Sequence, residues 1–80
     1  MFEYTICNQA NEGVFYKQCE ALEKNVTNIQ KGNLIQDVDS SLLQYYDYNG
    51  EKIIVYNDKD IGAVYVKSEI DLLPFFRKSN

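Results

Sequence analysis

A hairpin signature lies at the centre of residues 42–66, where the dipeptide Asn49-Gly50 separates two runs rich in Tyr, Ile and Val. Asparagine and glycine both tolerate positive φ, so this dipeptide is typical of a tight type I′ turn between antiparallel strands. A polar stretch at residues 57–60 (Asn-Asp-Lys-Asp) predicts a second turn. The segment therefore predicts a three-stranded antiparallel meander.

The first turn also sets the register of the predicted strands. A two-residue turn places Tyr46 opposite Ile53 and Leu43 opposite Tyr56, and a four-residue second turn places Tyr56 opposite Ile61. Side chains alternate between the two faces of a strand. One face is then mainly aliphatic and carries Leu42, Tyr46, Ile53, Val55, Val64 and Val66. The other is rich in tyrosine and carries Leu43, Tyr45, Ile54, Tyr56, Ile61 and Tyr65.

The segment before the meander predicts a strand, a helix and a connection. Residues 2–7 alternate apolar and polar side chains, as a half-buried strand does. Between residues 10 and 28 the apolar side chains recur at spacings of three and four, which indicates an amphipathic helix. Asn8 or Asn11 can cap its first turn. Residues 33–41 predict a partly ordered connection to the meander.

The segment after the meander predicts a short helix. Ser68 and Asp71 have the spacing of a capping box, in which each side chain accepts a hydrogen bond from the backbone amide of the other. Pro74 cannot continue a helical ladder, so we expect one or two turns. The apolar side chains that then need burial are Leu72, Leu73, Phe75 and Phe76. From Arg77 onward we expect a polar tail.

Together these elements predict one α+β domain that spans residues 1–80. Their order favours a four-stranded, mainly antiparallel sheet with the long helix packed on one face and a short C-terminal helix. A right-handed crossover through the long helix would place the first strand parallel to a strand of the meander.

The composition excludes several kinds of chemistry. The chain has no histidine, which removes Ser-His-Asp and Cys-His nucleophile systems and the commonest metal ligand. Its four glycines are scattered singly, so there is no phosphate-binding loop. Cys7 and Cys19 are too few for a disulfide framework or a zinc site. We therefore expect no enzymatic activity, no metal and no cofactor.

The net charge of −4 falls entirely on residues 37–60, which hold six acidic and two basic residues, whereas the rest of the chain holds six of each. An acidic field repels nucleic-acid phosphates and attracts cationic surfaces. We therefore expect a cationic protein partner and no direct nucleic-acid binding. The chain also lacks a basic, apolar leader and an apolar run of about 20 residues, so we expect a cytoplasmic protein that does not enter a membrane.

The tyrosine-rich face is the candidate binding surface. Tyrosine offers a large rigid contact area with a hydroxyl group, and nearby carboxylates steer a basic partner. The candidate partner-binding residues are Tyr45, Asp47, Tyr56, Asp58, Asp60 and Tyr65. Three uses of this face remain open, namely a partner surface, a homodimer interface and burial beneath the C-terminal segment.

In size and charge alone, the chain resembles bacterial proteins that neutralise a toxin or nuclease by blocking its basic cleft. Immunity proteins, antitoxins and phage-encoded inhibitors share this profile. The resemblance implies a small acidic, non-enzymatic binding protein that docks on a basic protein partner and occludes it. The alternative is a structural or assembly module that acts by homodimerisation or by pairing at a sheet edge.

Overall fold

The computed structural model describes residues 1–76, so the polar tail predicted from Arg77 lies outside the described residues. The described part is α+β, with five strands and two helices. In chain order the elements are β1 (Phe2–Cys7), α1 (Glu12–Asn25), β2 (Gln30–Gln36), β3 (Leu42–Tyr48), β4 (Glu51–Asp58), β5 (Ala63–Ser68) and α2 (Leu73–Phe76).

All five strands form one antiparallel sheet in the order β1-β5-β4-β3-β2. The predicted α+β class and antiparallel sheet are confirmed, but the predicted number of four strands is wrong. The additional strand is β2, which includes the first four residues, 33–36, of the segment expected to be a connection. It forms a hairpin with β3, closed where the Asp37 amide donates to the Ser41 carbonyl at 2.8 Å.

Strand β1 runs in the same direction as β4 of the meander, as expected, but the two are not neighbours in the sheet. Strand β1 pairs only with β5 among the described strands, and it runs antiparallel to it. The reason is topological, because α1 connects the two edge strands of the sheet rather than two neighbouring strands. The crossover rule for adjacent parallel strands therefore does not apply to this connection.

The hairpin of β3 and β4 has the register that the sequence predicts. Tyr46 lies opposite Ile53 and Leu43 opposite Tyr56. Asn49 and Gly50 adopt φ values of 52° and 87°, which are the positive values that a type I′ turn requires.

The second turn lies later in the chain than predicted, so Tyr56 pairs with Tyr65 and not with Ile61. The cause is Asp58, whose Oδ1 accepts hydrogen bonds from the amides of residues 60 and 61 and whose carbonyl accepts one from Gly62. The turn therefore begins at Asp58, and Gly62 supplies the positive φ of 78°. Because the pairing is displaced by an even number of residues, the side chains that lie in the strands keep the faces that were predicted for them.

The core lies on one side of the sheet, and we call that side the core face. Its strand residues are Leu42, Tyr46, Ile53, Val55, Val64 and Val66. They form one buried cluster with Phe15, Cys19 and Leu22 of α1, with Val26 and with Leu72. Asn11 caps α1, since its Oδ1 accepts a hydrogen bond from the Val14 amide at 3.0 Å.

The C-terminal segment packs against the same buried cluster. The Phe75 ring lies edge-on to Tyr48 with ring centroids 5.8 Å apart, and the Phe76 ring lies edge-on to Tyr4 at 5.3 Å. The predicted capping box does not form. Instead Asp71 Oδ1 accepts a hydrogen bond from the Leu73 amide at the start of α2.

Candidate partner-binding surface

The opposite side of the sheet carries the predicted tyrosines, and we call it the tyrosine face. Its apolar and aromatic strand residues are Ile35, Leu43, Tyr45, Ile54, Tyr56 and Tyr65. Within the described residues, none of the six belongs to the buried core cluster. Ile61, which was predicted to join them, lies in the β4–β5 turn and is exposed.

Tyr56 and Tyr65 form a stacked pair at the centre of this face. Their ring centroids are 4.6 Å apart and the rings are nearly parallel, at 12°. The Lys67 Nζ atom lies 5.7 Å from one centroid and 5.9 Å from the other, and 3.9 Å from a carboxylate oxygen of Glu3. The stack leaves Tyr65 only 8% exposed, whereas Tyr56 is half-buried. The pair is therefore a rigid aromatic platform with cations and carboxylates at its border.

Asp58 connects this pair to the β4–β5 turn. Its Oδ2 accepts a hydrogen bond from the Tyr65 hydroxyl at 3.0 Å, while its Oδ1 accepts the two turn amides. Burial raises the pKa of Tyr65 to about 12, and the hydrogen bond to Asp58 adds to the increase. Burial likewise raises the pKa of Tyr56, with smaller contributions from Tyr45 and Asp58 nearby.

Asp47 lies at the other end of the face. Its carboxylate accepts hydrogen bonds from the Gly50 amide at 2.9 Å and from Lys52 Nζ at 3.3 Å, which together hold its pKa below the usual value. Along β4, Asp58 follows Lys52 by six residues, a separation of about 20 Å at the rise of an extended strand. Five of the six predicted site residues thus share one face and Asp60 lies in the turn at its end, but the carboxylates are divided between the two ends of the face.

A cavity of about 310 Å³ opens at the Asp58 end, and we call it the acidic cavity. Four of the residues that line it are aspartates, namely Asp37, Asp39, Asp58 and Asp60. Asp37 and Asp39 were absent from the predicted site, although they belong to the segment that carries the excess negative charge. The β2–β3 hairpin brings them there. The pKa of Asp39 is lowered mainly because its carboxylate accepts a hydrogen bond from the Ser41 amide.

Asn57 is also among the residues that line the acidic cavity, and it is almost fully buried, at 1% exposure. Its Oδ1 accepts a hydrogen bond from the Asn11 amide at 2.9 Å. Its Nδ2 has no hydrogen-bond partner within the described part of the chain. Sequence reasoning had no means of finding this group, because Asn57 was assigned to an exposed turn.

Both edges of the sheet are interrupted by irregular pairing. The register shifts between Thr5 and Cys7 in β1 and between Lys31 and Leu34 in β2. The Gln44 side chain of β3 donates a hydrogen bond to the Gly32 carbonyl of β2 at 3.0 Å, inside the irregular stretch. Such interruptions are a common way of discouraging edge-to-edge pairing.

Metal-site geometry, helix hydrophobicity and comparison with known proteins do not assign a function. Within residues 1–76 no three acidic or thiol side chains are arranged to hold a metal ion, and neither helix there is long and apolar enough to cross a membrane. Comparison of the chain with protein-family models, curated proteins and solved structures gives no significant match. The functional argument therefore depends on the geometry of the tyrosine face and its acidic cavity.

Proposed function

We propose that this protein is a small acidic, non-enzymatic binding protein of the cytoplasm that docks on a cationic protein partner through the acidic end of its tyrosine face. The observation that carries the proposal is that four aspartates line one cavity beside a stacked tyrosine pair. Helix α1 lies over the core face in this view, which leaves the tyrosine face for the partner. The described C-terminal aromatic rings support this view, because they pack against the core cluster.

The charge of this surface favours a cationic partner over a second copy of the chain. The tyrosine face and its rim carry six acidic residues and three lysines, a balance of −3, and these are Glu3, Asp37, Asp39, Asp47, Asp58, Asp60, Lys52, Lys59 and Lys67. Two such faces would repel each other, whereas a cationic surface would be attracted and steered during approach. The irregular edges likewise disfavour the alternative of assembly by strand pairing.

Occlusion is the mode of action that suits this surface. The stacked rings are already ordered, so little side-chain freedom is lost when a partner covers them. The tyrosines supply contact area at the centre, and the carboxylates pair with Lys or Arg side chains at the border. When this surface covers a basic cleft, the acidic ligand of that cleft can no longer enter. Immunity proteins, antitoxins and phage-encoded inhibitors act in this way.

Affinity capture with charge-matched variants tests the proposal. The bait is the full chain, used as wild type, as Asp37→Asn/Asp60→Asn and as the control Glu20→Gln/Glu51→Gln, which removes the same charge away from the cavity. We expect wild type and control to retain the same basic protein from the native cell, and the cavity variant to lose it. With the purified partner, we expect association to slow about 10-fold or more as ionic strength rises.

Two results would contradict the proposal. One is equal retention of the partner by the cavity variant and the control. The other is an association rate that does not respond to salt, which would indicate an apolar interface. A concentration-dependent dimer whose formation is blocked by substitutions at Tyr56 would instead favour the assembly alternative.

A further inference from the structure

We propose that the tyrosine face receives an amphipathic helix of the partner, whose apolar side lies across the strands and whose basic flank faces the acidic cavity. This inference rests on the proposed function and specifies which kind of partner segment docks. It follows from the order of side chains on the face, where apolar residues lie between an acidic end and an end whose charges are paired.

An apolar stripe crosses four neighbouring strands of the tyrosine face. Cross-strand pairing forms it, and its members from β5 to β2 are Tyr65, Tyr56, Leu43 and Ile35. The three intervals between these strands span about 14 Å, which is the length of about 2.5 turns of an α-helix. Ile35 is 45% exposed, and Leu43 and Tyr56 are half-buried, so most of the stripe is open to a partner.

A cavity of about 380 Å³ lies beside the stripe, and we call it the apolar groove. Its lining includes Tyr45 and Ile54, which pair across β3 and β4. Ile54 precedes Tyr56 by two residues, so the groove lies about 7 Å from the stripe along β4. Gly32 also lines it, and a Cβ atom there would lie only 3.1 Å from the Tyr45 carbonyl oxygen. The groove has room for a large apolar anchor side chain of the partner.

The sheet face favours a helix over an extended segment because of backbone hydrogen bonding. A segment that lies flat on the face meets side chains, since the backbone groups of inner strands are paired within the sheet. An extended segment would cover its own amides and carbonyls without new partners, whereas a helix pairs them internally. Addition of a strand at an edge is disfavoured by the irregular pairing of β1 and β2.

The two sides of the apolar stripe differ in charge, which determines the chemistry of the helix. On one side lies the acidic cavity, and no lysine or arginine is among the described residues that line it. On the other side Lys52 pairs with Asp47, and Lys67 lies 3.9 Å from Glu3. A helix with Lys or Arg along one flank of its apolar side is complementary to this arrangement.

Exposed aliphatic side chains add contact area at the acidic end. Val38 lies between Asp37 and Asp39 and is fully exposed, and Ile61 follows Asp60 and is 69% exposed. Lys and Arg side chains lay their aliphatic stems on apolar surface while their charged ends stay in water or near carboxylates. The acidic end therefore offers both of the groups that a long basic side chain contacts.

Designed helical peptides, titrated into the full chain and followed by ¹⁵N nuclear magnetic resonance, test this assignment. The first peptide has about 14 residues, is cross-linked in helical form, and carries leucines at i, i+4 and i+7 with lysines along one flank. The second has the same composition but its lysines lie opposite the leucines. The third lacks the cross-link and has a central proline, which breaks the helix. We expect the first to shift the backbone signals of residues 43, 45, 54 and 56 and to bind at least about 5-fold more tightly than the others.

Matched variants of the full chain locate the contact. Leu43→Ser and Ile35→Ser, both in the apolar stripe, should weaken binding of the first peptide about 3-fold or more, because apolar contact area is lost. Leu34→Ser, at an exposed leucine on the other side of β2, should leave binding unchanged. Asp37→Asn/Asp60→Asn should remove the preference for the first peptide over the second. Well-dispersed spectra establish that each variant is folded.

The outcomes separate this inference from the proposed function. Equal binding of the first peptide and either of the others, or no shift with any peptide up to about 1 mM, would overturn the helix assignment. If it is overturned while Asp37→Asn/Asp60→Asn still abolishes capture of the basic protein, the proposed function stands and the partner docks through another kind of segment. If the first peptide binds as expected but capture is indifferent to those carboxylates, the proposed function is wrong.

Discussion

The side chains of strand β4 alternate between the core face and the tyrosine face, and the two faces bury them to different degrees. Towards the core face the strand places Ile53, Val55 and Asn57, each at most 1% exposed. Towards the tyrosine face it places Ile54, Tyr56 and Asp58, each half-buried. The two sets come from one strand of similar composition throughout, so the packing partner on each side, and not the residue type, sets the degree of burial.

Tyrosine shows the difference most clearly. On the core face, the buried Tyr46 hydroxyl donates to Glu23 Oε2 at 2.5 Å, and Lys31 pairs with the same carboxylate at 3.3 Å. Burial raises the pKa of Tyr46, which keeps it a donor. On the tyrosine face, Tyr56 stacks and lines a cavity instead. A buried tyrosine has a dedicated acceptor on either face, as Tyr65 does, whereas a half-buried one can leave its hydroxyl to a partner.

The largest expected contrast is between two adjacent isoleucines. Ile53→Ala should lower the free energy of unfolding by about 2–5 kcal/mol, because it removes buried methylene groups and leaves a cavity. Ile54→Ala, one residue later on the tyrosine face, should cost about 1 kcal/mol or less, since its surroundings can be filled by water. Urea denaturation at neutral pH measures both values. Equal losses would mean that the tyrosine face is a second core.

A smaller effect is expected from Tyr65 at high pH. Its pKa is raised to about 12 in the fold, against about 10 in an unfolded chain, so folding favours the protonated form. This contribution is fully present below pH 10 and is lost as the pH rises towards 12, on the order of 2 kcal/mol in total. Tyr65→Phe should therefore lose less stability than wild type between pH 9 and 11 in urea denaturation. Parallel profiles for the two proteins would contradict the assigned burial and hydrogen bond.

The smallest expected effect separates the two ends of the tyrosine face. Asp60→Asn should slow association with the cationic partner several-fold, because Asp60 borders the acidic cavity. Asp47→Asn should slow it less, since Asp47 lies at the other end and is already paired with Lys52. Asp47→Asn keeps an oxygen that can accept the Gly50 amide, and the β4–β5 turn is held by Asp58, so both turns stay intact. Stopped-flow association rates at low salt make the comparison. Equal slowing by the two variants would mean that the partner contacts both ends of the tyrosine face.

The β3–β4 hairpin and the division into faces were predictable because they depend on local rules. Asn49-Gly50 sets the register, and alternation then assigns every side chain to a side. Even the misplaced second turn left the faces correct. The position of that turn depends on which amides Asp58 binds, and several polar residues in a row offered similar choices.

Strand β2 escaped prediction because of its place in the sheet. All seven of its residues are exposed, including Leu34 and Ile35 on opposite sides, so burial imposes no alternating pattern on them. An edge strand of this kind forms because β3 offers free backbone hydrogen-bonding groups. The sequence of β2 alone does not show that such a partner strand is present. The same pairing carries Asp37 and Asp39 to the acidic cavity.

The amino-acid sequence was therefore sufficient for the hairpin register, the two faces and the segment that holds the excess negative charge, since each follows from neighbouring residues or from a count. The fold alone set which aspartates line one cavity, because Asp37 and Asp58 border the same space only when β2, β3 and β4 pair. It also set the burial of Asn57, whose Oδ1 is held by an amide from the start of α1. Contacts between residues distant in the chain depend on the free energy of the whole fold, which no local pattern contains.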